Sequence, residues 1–242
     1  MSVLPYNARE TKKSQVRTMF DRIAPRYDLL NHLLSLNIDR VWRRHVVQIV
    51  GRKSPQTLLD AATGTGDLAI DLARGIPQAR IRAVDLSEGM LDVARRKIAA
   101  RNLDGRIVLS VEDAEKLTLA DASVDAVTVA FGVRNFGDID AGLREFHRVL
   151  KPRGQVVILE LSRPRNRLFR WLFEHYFHKL LPRIGGIVSH DRRAYEYLPA
   201  SVTAFPAPER FVEMLGRAGF ADCRARSQTL GIAQIYTGVK NE

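Results

Sequence analysis

Short apolar runs alternate with helical patterns through the middle of the chain. The apolar runs predict five buried strands, at residues 58–60, 79–84, 107–111, 124–130 and 155–161. Helical spacing predicts helices between them, at residues 68–74, 88–100 and 141–150. Strands that alternate with helices in this way are typical of a doubly wound α/β fold with a mostly parallel sheet.

The two ends of the chain depart from this alternation. The first helical face is formed by Val16, Met19, Phe20 and Ile23. We expect that helix to end at Pro25 and a second helix to follow over residues 42–50. A helix is predicted at residues 209–218, and it is followed by two strands that are joined by a turn at Gly231. These features predict a helical N-terminal cap and a C-terminal antiparallel hairpin at the edge of the sheet.

The turn between the first strand and its helix has the clearest ligand chemistry. Gly64 and Gly66 allow the backbone to approach a ligand closely, and residues 64–69 match the G-x-G-x-x-G/A pattern that seats a pyrophosphate. Asp60 and Asp67, however, would repel a diphosphate and attract a cation. S-adenosylmethionine carries a sulfonium and an ammonium group and no phosphate. The turn therefore favours a methyltransferase over a dehydrogenase, with a purely structural turn as the third interpretation.

Other polar residues follow the predicted strands. Asp85 ends the second strand, at the spacing at which a carboxylate binds ribose hydroxyls. Asp113 follows the third strand and can accept from the amine of adenine while the Ala114 backbone contacts the ring; an ordinary acidic loop is the alternative. The loop at residues 131–136 follows the fourth strand and contains Arg134. Since ligands lie at the carboxyl ends of such strands, this loop belongs to the same site.

Composition limits the classes of binding partner and the cellular compartment that we expect. The chain has 242 residues, 45% of them hydrophobic, which suits a single domain with a full core. A formal charge of +11 favours anionic partners, either nucleic acid or an anionic membrane, but the basic residues are dispersed and no zinc-finger, RNP or homeodomain pattern occurs. We expect Lys97 and its neighbouring arginines on the outer face of their helix. Cys223 is the only cysteine, so we expect a reducing compartment, the cytosol, and no structural metal.

Several stretches are more specific than these patterns. Residues 27–35, Tyr-Asp-Leu-Leu-Asn-His-Leu-Leu-Ser, precede Trp42, and residues 148–154 are Arg-Val-Leu-Lys-Pro-Arg-Gly. Residues 131–135 are Phe-Gly-Val-Arg-Asn, and residues 195–198 are Tyr-Glu-Tyr-Leu. In these motifs, over nearly its whole length, the chain resembles the quinone C-methyltransferases of menaquinone and ubiquinone biosynthesis.

The resemblance implies a fold, a cofactor and an acceptor. The fold is that of a class I S-adenosylmethionine-dependent methyltransferase, the donor is S-adenosyl-L-methionine, and the acceptor is the reduced ring of a polyprenylated quinone. Asp39 stands where the family commonly has histidine, which argues against a base at this position. Together with the glycine turn, the matching positions give the predicted cofactor contacts: Asp60, Gly64, Thr65, Gly66, Asp85, Asp113 and Ala114.

The chemistry of aromatic methylation suggests further roles. A hydroquinone ring carbon becomes nucleophilic when the neighbouring hydroxyl loses its proton, so the site needs a proton acceptor and exclusion of water. Our hypothesis is that Arg134 stabilises the oxyanion and that Asn135 orients the hydroxyl or a water. The candidate bases are His32 and Asp28, with a packing role as the alternative for the histidine. The predicted substrate contacts are Tyr27 and Phe131.

We predict one methyltransferase domain over residues 1–242. Its parts are a helical N-terminal cap at 1–56, a cofactor-binding core at 57–162, a substrate-side insert at 163–208 and a final helix and hairpin at 209–242. Residues 167–181 of the insert are rich in aromatic side chains, and their flanks carry Arg163, Arg165 and Arg183. This segment either packs within the protein or contacts the anionic membrane that confines a prenyl chain.

The predicted reaction is C-methylation of demethylmenaquinol, because residues 31–35 look more like the menaquinone branch. The alternatives are the benzoquinol precursor of ubiquinone and a nucleic-acid methyltransferase. The last is disfavoured because residues 131–135 contain no Asn-Pro-Pro-Tyr motif and Cys223 lies in the terminal hairpin. We expect a cytoplasmic enzyme with peripheral contact at the inner face of the cell membrane and no nucleic-acid partner. The oligomeric state is open, including a homo-oligomer.

Overall fold

A computed structural model describes residues 3–6, 10–35, 37–164, 166, 171 and 192–242, and for residues 29–34, 192, 194 and 195 it describes the backbone alone. The helices are α1 Lys12–Leu34, α2 Ile38–Gly51, α3 Asp67–Gly75, α4 Glu88–Ala99, α5 Ile139–Val149, α6 Arg192–Ala204 and α7 Pro208–Arg217. The strands are β1 Thr57–Ala61, β2 Arg80–Asp85, β3 Ile107–Val111, β4 Val124–Ala130, β5 Leu150–Leu161, β6 Phe220–Gln228 and β7 Ala233–Lys240. Short 3₁₀ helices span Val133–Asn135 and Thr229–Gly231.

The strands form one seven-stranded sheet in the order β3-β2-β1-β4-β5-β7-β6. Strands β1 to β5 pair in parallel, whereas β7 runs antiparallel to both β5 and β6. The predicted doubly wound sheet with a C-terminal antiparallel hairpin is confirmed. Strand order reverses between β1 and β4, and ligands of such sheets bind at the carboxyl ends of the strands beside this reversal.

Both faces of the sheet are covered, because alternate side chains of a strand point to opposite faces. Leu58 of β1 packs in a core with α2, α3 and α4, and the next residue, Leu59, packs in a second core with α5 and α7. Helix α1 lies outside these two cores. It forms a third apolar cluster with Met90 of α4 and Tyr197 of α6.

The expected end of the first helix at Pro25 is wrong. Helix α1 continues through the proline to Leu34. Proline removes one backbone hydrogen bond from a helix and crowds the preceding turn. The apolar face continues across it, since Ile23 and Ala24 are buried and Tyr27 packs against the same cluster. Tertiary packing on both sides of Pro25 offsets the local cost.

The insert predicted at residues 163–208 is described only in part. Residues 167–181, on which the membrane interpretation depends, lie outside the described residues apart from Trp171. Helix α6 covers the end of the insert. Among the described helices, none combines the length and the apolar character needed to cross a membrane. The division into cap, core, insert and hairpin stays a prediction.

Candidate active site

A cavity of about 210 Å³ lies at the carboxyl ends of the parallel strands, beneath α1. Its polar wall follows β1, β2 and β3 and includes Asp60, Asp85 and Asp113. Its apolar wall lies on the other side of the reversal in strand order and contains Trp42, Phe131, Leu161 and Ile232. The cavity therefore offers charged acceptors at one end and an aromatic, apolar surface at the other.

The glycine turn shapes the polar wall. Gly64 and Gly66 both have left-handed backbone geometry, with φ of 56° and 79°. A Cβ at Gly64 would meet no atom within 4 Å, whereas one at Gly66 would lie 3.2 Å from the Cβ of Ala94. Gly64 thus leaves room beside the cavity, and Gly66 lets the turn pack onto α4.

Two carboxylates, the buried Asp60 and the half-buried Asp85, support this turn. Asp60 accepts hydrogen bonds from the hydroxyls of Thr63, at 2.6 Å, and Thr128, at 2.7 Å. Asp85 accepts from the backbone N–H of Gly64, at 2.8 Å, and of Ser87, at 2.9 Å. Burial raises the pKa of Asp60 to about 6, and it also raises the pKa of Asp85. A cationic ligand would lower the cost of keeping both groups ionised.

Asp113, which the sequence predicts to bind adenine, forms an ion pair that the sequence did not predict. Lys13 of α1 donates to Asp113 Oδ2 at 2.5 Å and lies 3.1 Å from Glu115. The other oxygen of Asp113 accepts from the Glu115 backbone N–H at 3.0 Å. Ala114 is buried between them and lines the cavity. Helix α1 is therefore attached directly to this end of the site.

A second attachment joins α1 to the glycine turn. Asp28 accepts from Thr65 Oγ1 at 2.5 Å and from Lys97 Nζ at 2.6 Å. Lys97 also pairs with Asp67 at 2.5 Å. The expectation that Lys97 lies on the outer face of its helix is wrong: its long side chain reaches inward, where two carboxylates compensate its charge. Both oxygens of Asp28, a candidate base, are engaged by these donors.

Arg43 extends the ionic network onto α2. This buried guanidinium pairs with Asp39, with Asp71 at 2.8 Å and with Asp67 at 3.5 Å. Asp39 also accepts from Ser35 Oγ at 2.6 Å. The Asp39 carboxylate therefore binds an arginine, and the expectation that no base stands at this position stays a prediction.

The loop after β4 places Arg134 against a buried carboxylate. Arg134 donates from Nη1 to Glu160 Oε1 at 2.7 Å and from its backbone N–H to Glu160 Oε2 at 3.2 Å; Nη1 also donates to the Phe131 carbonyl. Burial lowers the pKa of Arg134, but Glu160 outweighs it and holds the pKa above its usual value. Asn135 donates weakly to the Phe131 carbonyl, at 3.5 Å. Arg134 Nε and Asn135 Oδ1 have no hydrogen-bond partner.

Phe131 is held in an unusual backbone conformation, with φ of 58°. Left-handed geometry is uncommon for a bulky residue and concentrates at functional sites. Its ring packs edge-on against Trp42, with the ring centroids 6.1 Å apart. The Trp42 indole in turn donates to Thr229 Oγ1 at 2.8 Å, which fixes the ring against the hairpin turn. Together these contacts give the apolar wall a defined aromatic surface.

Comparison with known proteins identifies the family. The model of the ubiE/COQ5 methyltransferase family matches residues 8–240. The chain belongs to the ubiE/COQ5 methyltransferase family.

The relatives of this ubiE/COQ5 family member are similar over nearly their whole length. The demethylmenaquinone methyltransferase of Deinococcus radiodurans is 48% identical over 236 residues, which cover 98% of this chain and 97% of that protein. The ubiquinone/menaquinone biosynthesis C-methyltransferase UbiE of Geobacter sulfurreducens is 47% identical, with 95% and 90% covered.

Solved structures share the fold of this family member at low sequence identity. A SAM-dependent methyltransferase from Aquifex aeolicus has a TM-score of 0.58 and 18% identity, covering 80% of this chain and 88% of that one. The phosphoethanolamine N-methyltransferase 2 of Haemonchus contortus, in complex with S-adenosyl-L-methionine, also has a TM-score of 0.58, at 19% identity, covering 77% and 49%. The predicted class I methyltransferase fold is confirmed.

Most residues predicted for the site of this ubiE/COQ5 protein meet at one cavity. The cavity lining includes Tyr27, Asp60, Gly64, Thr65, Asp85, Asp113, Ala114, Phe131, Arg134 and Asn135. Gly66 and Asp28 support the lining through Ala94 and Thr65. The side chain of His32 lies outside the described residues.

Sequence reasoning missed several residues that shape the same cavity. Lys13 and Lys97 hold α1 to the polar wall, Glu160 pairs with Arg134, and Ile232 completes the apolar wall. Only Glu160 had a sequence signal, a carboxylate near the carboxyl end of a predicted strand. The others come from helices or the hairpin, whose local patterns do not indicate that they reach the cavity.

Proposed function

We propose that this enzyme methylates a ring carbon of demethylmenaquinol, with S-adenosyl-L-methionine as the methyl donor. The observation that carries the proposal is the 48% identity, over nearly the whole chain, to a protein named demethylmenaquinone methyltransferase. The cavity supports it, because acidic residues line one end and aromatic residues the other, with Arg134 beside the aromatic end. These are the surfaces that a sulfonium cofactor and an aromatic quinol need.

The polar wall fits the cofactor. When bound, S-adenosyl-L-methionine supplies a methyl group on a positively charged sulfur. Asp85, Asp113 and Gly64 line the cavity. In the proposal, Asp85 binds the ribose hydroxyls, Asp113 accepts from the adenine amine, and Gly64 leaves space for the ligand. The raised pKa values of the buried Asp60 and the half-buried Asp85 favour a cation nearby, which would stabilise their charged forms. The residues proposed to hold the cofactor are Asp60, Gly64, Thr65, Gly66, Asp85, Asp113 and Ala114.

The proposed catalytic roles belong to the other wall. Arg134 stabilises the negative oxygen of the quinol, and Asn135 orients its hydroxyl. Helix α1 covers the cavity and excludes water from the reacting carbon. His32 and Asp28 are the candidate proton acceptors, and Asp28 would first have to release Thr65 or Lys97. Tyr27 and Phe131 contact the quinol ring, Phe131 beside Trp42.

The benzoquinol precursor of ubiquinone is a second candidate substrate. It is favoured by the 47% identity to the Geobacter sulfurreducens protein, whose name includes both quinones. The two acceptors share a hydroquinone oxygen next to the methylated carbon, so the same residues serve both. No relative reported above is named as a nucleic-acid methyltransferase.

Transfer of a labelled methyl group tests the function. The enzyme is incubated with labelled S-adenosyl-L-methionine and either reduced demethylmenaquinone or the reduced ubiquinone precursor. We expect label in the naphthoquinol. Methylation of both quinols would mean that the enzyme serves both menaquinone and ubiquinone biosynthesis. Methylation of the benzoquinol alone would make the ubiquinone precursor the substrate instead of demethylmenaquinol. Failure to methylate either quinol, with cofactor binding intact, would contradict the function.

We further propose peripheral contact with an anionic membrane, because the prenyl chain of the substrate is confined to a bilayer. The turn between β6 and β7 supports this proposal. Leu230 in this turn has φ of 57° and is 61% exposed, two properties that folding alone does not favour for leucine. Its neighbour Thr229 binds Trp42, and Val41, next to that tryptophan, is also exposed. The exposed arginines are Arg40 and Arg44 on α2 and Arg224 and Arg226 on β6.

A further inference from the structure

Lys12 joins α1 to the loop that carries the proposed catalytic residues. Its ammonium donates to the backbone carbonyl of Arg134 at 3.0 Å and to that of Phe136 at 2.7 Å. These two carbonyls flank Asn135, so one side chain holds the backbone on both sides of it. Lys12 is half-buried and is not among the described residues that line the cavity. It can therefore act on a substrate only through the loop.

The backbone of Arg134 is held by charged side chains at both of its polar groups. Its N–H donates to Glu160 of β5 at 3.2 Å, and its carbonyl accepts from Lys12 of α1. Hydrogen bonds with one ionised partner are roughly twice as strong as neutral ones. Because the two charged groups belong to different elements, the position of Arg134 depends on the packing of α1 as well as on the sheet.

The short 3₁₀ helix in this loop cannot supply the contact that Lys12 makes. The N–H groups of Asn135 and Phe136 donate to the carbonyls three residues earlier, at 3.0 and 3.1 Å. The Arg134 carbonyl lies beyond these bonds, and the last carbonyls of a helix need partners from outside it. Removal of the ammonium would leave this carbonyl to find another partner, which requires the loop to move.

The next lysine of α1 acts on the same segment indirectly. Glu115 accepts from the backbone N–H groups of residues 137–138 at 2.7 and 3.2 Å, and Lys13 lies 3.1 Å from its carboxylate. Lys13 also pairs with Asp113, at the cofactor end of the cavity. The contacts of Lys12 described above are with the loop, so a change at Lys12 tests the loop without touching Asp113.

We propose that Lys12 is a positioning residue for methyl transfer, whose ammonium fixes the loop backbone so that the side chains of Arg134 and Asn135 keep their places at the cavity. The inference rests on the proposed function, since it assigns Lys12 to the step that this loop performs. Placement matters because a shift of about 1 Å in a catalytic group can lower a rate about 10²-fold. Docking of α1 would then complete the catalytic loop.

The test replaces Lys12 with methionine, which keeps an unbranched apolar side chain but cannot donate to a carbonyl. For Lys12→Met we expect the single-turnover rate of methyl transfer to reduced demethylmenaquinone to fall about tenfold or more. The dissociation constant of S-adenosyl-L-methionine should stay within about twofold of wild type. Lys12→Arg should restore most of the rate, because a guanidinium can also donate to two carbonyls.

Lys240→Met is the matched control. The ammonium of Lys240 also donates to two backbone carbonyls, those of His147 at 2.9 Å and Arg148 at 3.4 Å. Lys240 lies at the opposite edge of the sheet from the cavity, because β7 runs antiparallel to β5 and its last residues pair with the start of the parallel segment. We expect this variant to lower the thermal unfolding midpoint about as much as Lys12→Met and to keep wild-type kinetics.

Hydrogen–deuterium exchange gives a measurement that does not depend on activity. The backbone N–H groups of residues 134–138 all form hydrogen bonds, so their exchange reports on the order of the loop. We expect faster exchange across residues 131–138 in Lys12→Met. Lys12→Arg and Lys240→Met should exchange at close to the wild-type rate in this segment.

Three results would overturn the inference. One is a wild-type rate of methyl transfer in Lys12→Met, which would leave the proposed function intact. Another is an equal loss of rate in Lys12→Met and Lys240→Met, which would trace the effect to general stability. The third is a slow Lys12→Met variant with wild-type exchange in the loop. A wild-type enzyme that methylates neither quinol would overturn the proposed function, and the role of Lys12 in catalysis with it.

Discussion

Arg134 holds its position through an ion pair that serves both stability and the proposed chemistry. Glu160 is fully buried and accepts from the side chain and the backbone N–H of Arg134. Breaking a buried pair by removing one partner leaves an uncompensated charge and costs about 3–5 kcal/mol. A replacement that keeps a positive charge is therefore needed to separate folding from catalysis.

We predict that Arg134→Lys lowers kcat by about 10²–10³ and changes the affinity for S-adenosyl-L-methionine little, since the ammonium balances Glu160 but lacks the Nε donor. Single-turnover methyl transfer and cofactor titration measure the two effects. Arg134→Ala should in addition lower the free energy of unfolding. Equal losses of kcat and of cofactor affinity in Arg134→Lys would assign Arg134 to cofactor binding instead.

The residue type of Asp60 does not determine which groups its carboxylate binds. Its position before a glycine turn favours contact with a cation, yet its oxygens accept from Thr63 and Thr128. These two hydroxyls fix the orientation of a carboxylate that lines the cavity. Hydrogen-bond partners of this kind come from a neighbouring strand, which the local sequence does not specify.

At the scale of elements, polar contacts from Lys13 to Asp28 attach α1 to the core of the protein. Lys13 pairs with Asp113, Asp21 accepts from Ser87 Oγ at 2.6 Å, and Asp28 pairs with Lys97. All three contacts are made at the carboxyl ends of the strands, around the polar wall of the cavity. Because residues of α1 line this end of the cavity, we expect exchange of the cofactor to open some of these contacts.

We predict that Lys97→Gln accelerates dissociation of the cofactor product about tenfold, the equivalent of about 1.4 kcal/mol, because Asp28 and Asp67 lose their shared cation. Stopped-flow measurement of the protein's tryptophan fluorescence during release of S-adenosylhomocysteine gives the rate, since Trp42 lines the cavity. The control is Arg95→Gln on the same helix, where Arg95 forms an exposed pair with Glu88 at 3.2 Å. The same dissociation rate in the two variants would show that α1 does not retain the cofactor through Lys97.

At the scale of the whole molecule, the turn between β6 and β7 lies next to the cavity. The hairpin turn lies at the carboxyl edge of the parallel strands, because β6 runs in the same direction as β5. Its residue Ile232 lines the cavity, and Leu230 points to solvent two residues earlier. A bilayer at this edge would meet the enzyme next to the apolar wall.

We predict that the enzyme binds vesicles containing anionic lipid at low salt and that Leu230→Ser weakens this binding about tenfold, through loss of buried apolar area. Vesicle co-sedimentation measures the partitioning. Val108→Ser is the matched control, since Val108 is 60% exposed on β3, at the far edge of the sheet. Undetectable binding to anionic vesicles, or equal losses in both variants, would contradict contact through this turn.

Local sequence patterns determined the sheet, the order of its helices and the glycine turn. Each depends on residues that are close along the chain: apolar runs for β1 to β5, Gly64 and Gly66 for the turn, and Gly231 for the break in the hairpin. The carboxylates at positions 60, 85 and 113 could be assigned to one site because the carboxyl ends of parallel strands meet at one edge.

Only the tertiary structure decided which distant side chains complete the site. Lys97 turns inward to Asp28, Trp42 binds Thr229, and Arg134 pairs with Glu160, although none of these contacts joins residues that are near in sequence. The continuation of α1 through Pro25 is also a tertiary effect, since packing after the proline compensates a local cost. Periodicity reports which face of an element is apolar. It does not report the partner, because the free energy of a long-range contact depends on the folded arrangement of both elements.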